Sequence, residues 1–346
     1  MADDRPVLLA LRALKLGDLL VAVPALKALR RGHPAHRFVL AAPGWLEPVV
    51  RLVDPAIELL PTPGLDAPLE WHGSVDVAVN LHGRGPESTA LLEALAPARR
   101  LGHAGPGADG VPWTGPEWVD GLLERERWAR LVRWHGFPAS ADDVAIGVPD
   151  APPAVPGAGV VHVGAFYGAR RWPPERFAAV ARGLAASGLE VVVTAGPAEG
   201  ERAREVARLA GIRSALVFAG ESALPLDALA ALVADAAVLV SVDTGVAHLA
   251  SAYGVPSVIV FGPAPPSEWG PPPGPHRVLT DESARRGDVF SDVPDPALLA
   301  VSADEMLAAA LALVRPRPAD PAGRSRPARG AADRGSSPAG ARPASG

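Results

Sequence analysis

Val238-Leu239-Val240-Ser241-Val242-Asp243-Thr244-Gly245-Val246-Ala247-His248 runs from a short, nearly apolar stretch into a polar turn. The first five residues suit a strand buried in a parallel sheet, and the turn that follows reads as the start of a helix. The first N–H groups of such a helix lack intrahelical partners, and the helix dipole places partial positive charge there. Gly245 lets the backbone come close to a ligand, so the turn suits a phosphate. His248, one turn further in, could donate to an anion or a sugar hydroxyl, and Asp243 could accept from hydroxyls or cap the helix. Taken singly, Asp243 and Thr244 read as caps and His248 as a core histidine. Asp, Thr, Gly and His within six positions, followed by Tyr253-Gly254-Val255-Pro256, a second strand over 257–261 and a Gly-Pro loop to Trp269-Gly270, exceed what capping needs.

Working outward, the same alternation of short buried strands with helices recurs on both sides. Strands are predicted over 7–12, 38–41 and 75–81, then over 160–163, 190–194 and 215–218. Helices are predicted over 118–134, 175–186, 226–234 and 302–314, with another from Gly196-Pro197 to about Ala210. Such alternation is the signature of parallel sheets covered by helices. Near the start, 18–23 reads as a short first turn, with Pro24 opening the main helix at its first position. Ala151-Pro152-Pro153-Ala154-Val155-Pro156-Gly157 continues neither a helix nor an interior strand and reads as an interdomain linker. The boundaries that follow are 1–150, 151–315 and a tail over 316–346.

With 346 residues, 48% hydrophobic and 21% charged, the chain is long enough for two domains. No uninterrupted apolar run reaches the roughly 18 to 20 residues of a spanning helix. Met1-Ala2-Asp3-Asp4-Arg5-Pro6 lacks the basic region of a secretory signal, so a cytoplasmic location is expected. The absence of cysteine excludes disulfides and thiolate metal sites. Seven Arg against two Asp from Arg315 onward leave the body more acidic than the overall charge of −5, which argues against nucleic-acid binding. The tail has no periodic apolar residues and is expected to be disordered, with enough Arg for peripheral contact with an anionic inner membrane face. Gly83-Arg84-Gly85 begins like a dinucleotide fingerprint, but Ser88 stands where the third Gly belongs, so NAD is not expected.

Ser241 to Ala250, followed by Gly254-Val255-Pro256 and Phe261-Gly262-Pro263, resembles glycosyltransferase family 9, the ADP-heptose:lipopolysaccharide heptosyltransferases and their relatives. Three further stretches match: Leu11-Arg12-Ala13-Leu14-Lys15-Leu16-Gly17-Asp18, Asn80-Leu81-His82-Gly83-Arg84-Gly85, and Arg170-Arg171-Trp172-Pro173-Pro174. The resemblance implies the GT-B fold: two Rossmann-like α/β domains facing a central cleft, with the acceptor on the amino-terminal half and the donor nucleotide on the carboxy-terminal half. It implies Asp18 as the general base, against the plainer reading of a helix cap. Arg170 stands where the family has a phosphate-contacting Lys, and Asp243, Thr244, Gly245 and His248 fall where the family holds the diphosphate and adjoining sugar. The implied activity is transfer of a heptose-like sugar from a nucleotide-sugar donor to a glycan or glycolipid acceptor, without cofactor.

No Asp-x-Asp pair occurs in the chain, so no metal ion is expected on the diphosphate. Direct attack by a base-activated hydroxyl would invert the anomeric carbon. Two other readings remain: a GT-B sugar-nucleotide epimerase or hydrolase, which needs no acceptor, and a non-catalytic sugar-nucleotide-binding protein.

Overall fold

The computed structural model describes residues 4–314. The expectations for the tail over 316–346 lie outside them. The first half contains β1 (Val7–Leu11), α1 (Leu16–Val21), α2 (Val23–Gly32), β2 (Arg37–Ala42), α3 (Glu47–Val53), β3 (Ile57–Pro61), β4 (Val77–Asn80), α4 (Pro86–Glu93), β5 (Arg99–Leu101) and α5 (Glu124–Trp134). The second contains β6 (Gly159–His162), α6 (Pro174–Ala186), β7 (Val191–Thr194), α7 (Gly200–Ala210), β8 (Val217–Phe218), α8 (Leu226–Ala234), β9 (Val238–Val242), α9 (Gly245–Tyr253), β10 (Ser257–Val260), α10 (Pro266–Trp269), β11 (His276–Leu279), α11 (Pro296–Ala300) and α12 (Ala303–Leu313).

Two separate parallel sheets result. The first has the order β3-β2-β1-β4-β5 and the second β11-β10-β9-β6-β7-β8. Every residue of β1 and of β9 is buried, as expected of central strands covered on both faces. In each sheet the chain first builds outward on one side and then crosses back to the other. The switch falls between β1 and β4 in the first sheet and between β6 and β9 in the second. Ligands of open parallel sheets bind outside the carboxyl ends of strands at such points. The turns after β1 and β9 are therefore the places where function is expected, and they carry Asp18 and Asp243–His248.

No helix or strand occupies 135–158. Within this stretch the chain changes partners: Gly147 N–H donates to the Leu52 carbonyl at 2.7 Å, in the first lobe, and Gly157 N–H donates to Asp235 Oδ2 at 2.7 Å, in the second. The lobes themselves are not held apart by solvent. One apolar cluster includes Leu16, Leu19 and Leu20 of α1 together with Val246 and Leu249 of α9. Further contacts join α3 to α8 and α5 to α10. Buried Arg125 of α5 donates through Nη1 to the Gly270 carbonyl just after α10.

Several element boundaries differ from expectation. The helix expected over 118–134 begins only at Glu124, because Gly121 adopts φ +69°, a left-handed conformation that a helix cannot continue through. Pro24 is the second rather than the first residue of α2. Strands β3, β5 and β11 and helices α4, α10 and α11 were not anticipated. Among the described residues no helix is long and apolar enough to cross a membrane.

Candidate active site in the interlobe cleft

The site is made by two turns that meet head to head. After β1 the chain turns through Ala13, Leu14 and Lys15 into α1, and after β9 it turns through Asp243 and Thr244 into α9. The amino-terminal ends of α1 and α9 pack together. Asp18, Arg170, Asp243, Thr244, Gly245 and His248 all line one cavity of about 570 Å³. The six residues singled out in the sequence therefore converge on one space, the first of them from one lobe and the rest from the other.

Asp18 is the third residue of α1, not its cap. Its Oδ2 accepts from the Lys15 N–H at 3.3 Å, and its side chain is about one quarter exposed toward the cleft. Beneath it lies Arg12, whose side chain is 1% exposed, with Nη2 3.7 Å from Asp18 Oδ1. The Arg12 guanidinium also donates through Nε to the Asp18 carbonyl at 2.9 Å and through Nη1 to the Leu81 carbonyl, and it lies 4.5 Å from the centroid of the Trp128 ring. Such a buried cation costs desolvation unless a charge and several acceptors meet it. Arg12 thus fixes the carboxylate from behind while the other side of Asp18 stays open. Its role was missed in the sequence, although a charged residue directly after a wholly apolar strand was the available signal.

In the second lobe, Thr244 occupies the cap position of α9, but its hydroxyl pairs with Ser241 Oγ at 3.1 Å and no side chain caps the helix. The first turn of α9 thus keeps donors that an anion can use. Asp243 does not cap either. It is 4% exposed, with Oδ2 3.3 Å from Arg170 Nη1 and Oδ1 3.8 Å from His248 Nε2. Arg170 donates weakly to the Asp243 carbonyl as well, at 3.4 Å, while its Nε is buried without a partner. The Asp243 carboxylate thus faces both the cation and the imidazole as an ion-pair partner, and its Oδ2 is buried without a hydrogen bond.

Burial pushes the His248 pKa below its ordinary value, with Asp243 and Asp18 pulling the other way. A neutral imidazole therefore prevails at pH 7, able to give one hydrogen bond. The Trp269 ring stands edge-on to it, with centroids 6.4 Å apart. His82, after β4, is held to about 4 by burial and by the Arg12 charge, against the opposing pull of Asp18. His162, at the end of β6, is also held to about 4 by burial, with Nδ1 3.0 Å from Thr194 Oγ1.

A second cavity of about 790 Å³ adjoins the first, sharing Lys15, Gly17, Phe166, Thr244 and Gly245 and bounded by Pro43, Trp45 and Pro63 of the first lobe. Lys15 and Phe166, at the junction of the two spaces, were not singled out in the sequence. Among the described residues no group of three or more His, Asp or Glu is gathered as metal ligands.

Residues 138–282 match the family described as glycosyltransferase family 9 (heptosyltransferase). That segment contains Arg170, Asp243, Thr244, Gly245 and His248, whereas Asp18 precedes it. Lipopolysaccharide heptosyltransferase 1 of Pseudomonas aeruginosa is 34% identical over 159 residues, 44% of this chain and 43% of that protein. The Escherichia coli K12 protein of the same name is 35% identical over 105 residues, 29% of this chain and 30% of its own. The chain thus aligns with less than half the length of these curated relatives. Solved structures share the fold over nearly the whole body. The E. coli ADP-heptose lps heptosyltransferase II superposes with a TM-score of 0.70 at 20% identity, covering 89% of this chain and 98% of that one. A family 9 glycosyl transferase from Veillonella parvula gives 0.71 at 19% identity, covering 91% and 98%. Two parallel-sheet lobes meeting at a cleft are the GT-B arrangement that these solved structures share, and the segment over 138–282, which carries the second lobe's part of the site, is the part of the chain that matches glycosyltransferase family 9.

Proposed function

We propose that this protein is an inverting, metal-independent glycosyltransferase that moves a heptose-like sugar from a nucleotide-sugar donor, ADP-heptose, to a glycan or glycolipid acceptor on the cytoplasmic side of the envelope. The observation that carries this reading is the convergence of Asp18 from the first lobe and the Arg170–Asp243–His248 cluster from the second on one cavity.

A sugar hydroxyl is a weak nucleophile at neutral pH. In the proposed reaction Asp18 takes its proton as the acceptor oxygen attacks the anomeric carbon, an assistance worth about 10²- to 10⁴-fold. The bond from that carbon to the diphosphate oxygen breaks on the opposite face, and the electron pair leaves with the diphosphate. Arg170, the uncapped first turn of α9 at Thr244 and Gly245, and the neutral His248 are the groups placed to meet that growing negative charge. Asp243 acts by holding Arg170 and His248. Attack from the opposite face inverts the anomeric configuration.

A panel of ADP-, GDP- and UDP-sugars screened for thermal stabilisation tests the donor. ADP-heptose is expected to raise the melting temperature most. Stabilisation by none of the panel contradicts the reading, and product analysis showing retained configuration contradicts the mechanism.

A further inference from the structure

The chain has two lysines, and they are used differently. Lys27 is ion-paired, with Nζ 2.7 Å from Asp143 Oδ1. Lys15 has no carboxylate partner among the described residues. Its Nζ lies 3.1 Å from the centroid of the Phe166 ring and 4.8 Å from that of Tyr167, both in the opposite lobe. A ring face attracts and orients an ammonium but does not neutralise it.

Charge accounting around the cavity makes this position informative. Arg170 is compensated by Asp243, and Asp18 is compensated by Arg12. His248 is neutral at pH 7 for the reason given above. Glu268 adds a negative charge to the lining. Lys15 is thus the one cation of this lining without a carboxylate partner among the described residues, and it lies within electrostatic range of both Asp18 and Arg170. A diphosphate carries more negative charge than a cradle of one already paired Arg and a helix end is suited to hold.

We infer that Lys15 binds the diphosphate of the donor from the first lobe, so that the anion is clamped between Lys15 on one side and Arg170 with the α9 turn on the other. The inference rests on the transferase reading above. The Phe166 and Tyr167 rings hold the ammonium at the mouth of the site before the donor arrives. An ammonium is a compact point charge with three donors, which suits a phosphate approached from a flexible stem. Binding of the donor would then join the two lobes through the ligand itself, beside the carboxylate that is to receive the acceptor proton.

The test is calorimetric titration of ADP, UDP and GDP into the wild type, Lys15→Met and Lys15→Arg. Lys15 is exposed, so both variants are expected to fold, which circular dichroism and the melting temperature would verify. The inference expects Lys15→Met to lose about ten-fold or more in affinity for the nucleoside diphosphate that the wild type binds, and Lys15→Arg to stay within about three-fold of the wild type. Lys15→Met binding within two-fold of the wild type, or Lys15→Arg binding no better than Lys15→Met, overturns it while leaving the transferase reading intact. Failure of the wild type to bind any of the three overturns the transferase reading and this inference with it.

Discussion

Gly17 and Gly245 face each other across the junction of the two lobes. A Cβ added to Gly17 would lie 3.5 Å from the Gly245 Cα and 3.1 Å from the His248 ring, and one added to Gly245 would lie 2.9 Å from the Leu16 Cβ and 3.1 Å from the Gly17 backbone nitrogen. Absence of side chains at both positions is what lets the turn bearing Asp18 approach the turn bearing Thr244.

Gly245→Ala should therefore separate the turns. The clashing atoms are backbone and a first side-chain carbon, which cannot swing aside, so the expected cost is about 1 to 3 kcal/mol of stability. Donor affinity should fall as well, because Arg170 and the α9 turn shift away from the first lobe. Denaturant melts and titration with ADP check both effects. Wild-type stability together with wild-type affinity would mean that the close approach is not required.

Asp18→Asn separates proton removal from binding. The amide keeps the shape of the side chain but accepts no proton, so turnover should fall by about 10²- to 10⁴-fold while donor affinity changes little. Steady-state rates with an envelope glycolipid extract as acceptor, set beside calorimetric donor affinity, distinguish the two. Retained turnover removes Asp18 as the base.

The buried histidines predict acid sensitivity. His162, His82 and His103 are each held to about 4, with burial the largest cause in every case. In the unfolded chain they titrate near 6.5, so as pH falls the unfolded state takes protons first. Stability is thus intact above about pH 6.5, declines as pH drops toward 4, and levels off below the folded values. The slope is at most about 1.4 kcal/mol per pH unit for each imidazole, with His82, the least buried of the three, contributing least. Urea melts between pH 7 and 5 measure it. His162→Gln should flatten the curve, and a wild-type stability unchanged over that range would contradict the assignment.

What the sequence made legible follows burial. Central strands β1, β4, β6, β7 and β9 are buried throughout and mostly apolar, and they lie within the ranges expected of them or within a residue of them, with β9 over 238–242 as expected. The strands not foreseen, β3, β5 and β11, are all sheet edges. An edge strand is paired on one side only, so its sequence is freer: β3 carries Glu58 and ends in Pro61, β5 begins with Arg99 and Arg100, and β11 has no fully buried residue. The polar residues of the α9 turn were legible because they interrupt an apolar run. Arg12 and Lys15 were not assigned roles because these depend on what lies across from them, Trp128 in one case and Phe166 of the other lobe in the second. Spacing along the chain carries no trace of such partners.

The central claim is that one carboxylate and one anion cradle, supplied by different lobes, serve a single nucleotide sugar. Calorimetric titration of ADP-heptose into the wild type, Asp18→Asn and Arg170→Met tests it most directly. The account expects the wild type and Asp18→Asn to bind alike and Arg170→Met to lose about ten-fold or more in affinity. No binding by the wild type, or equal binding by all three proteins, would contradict it.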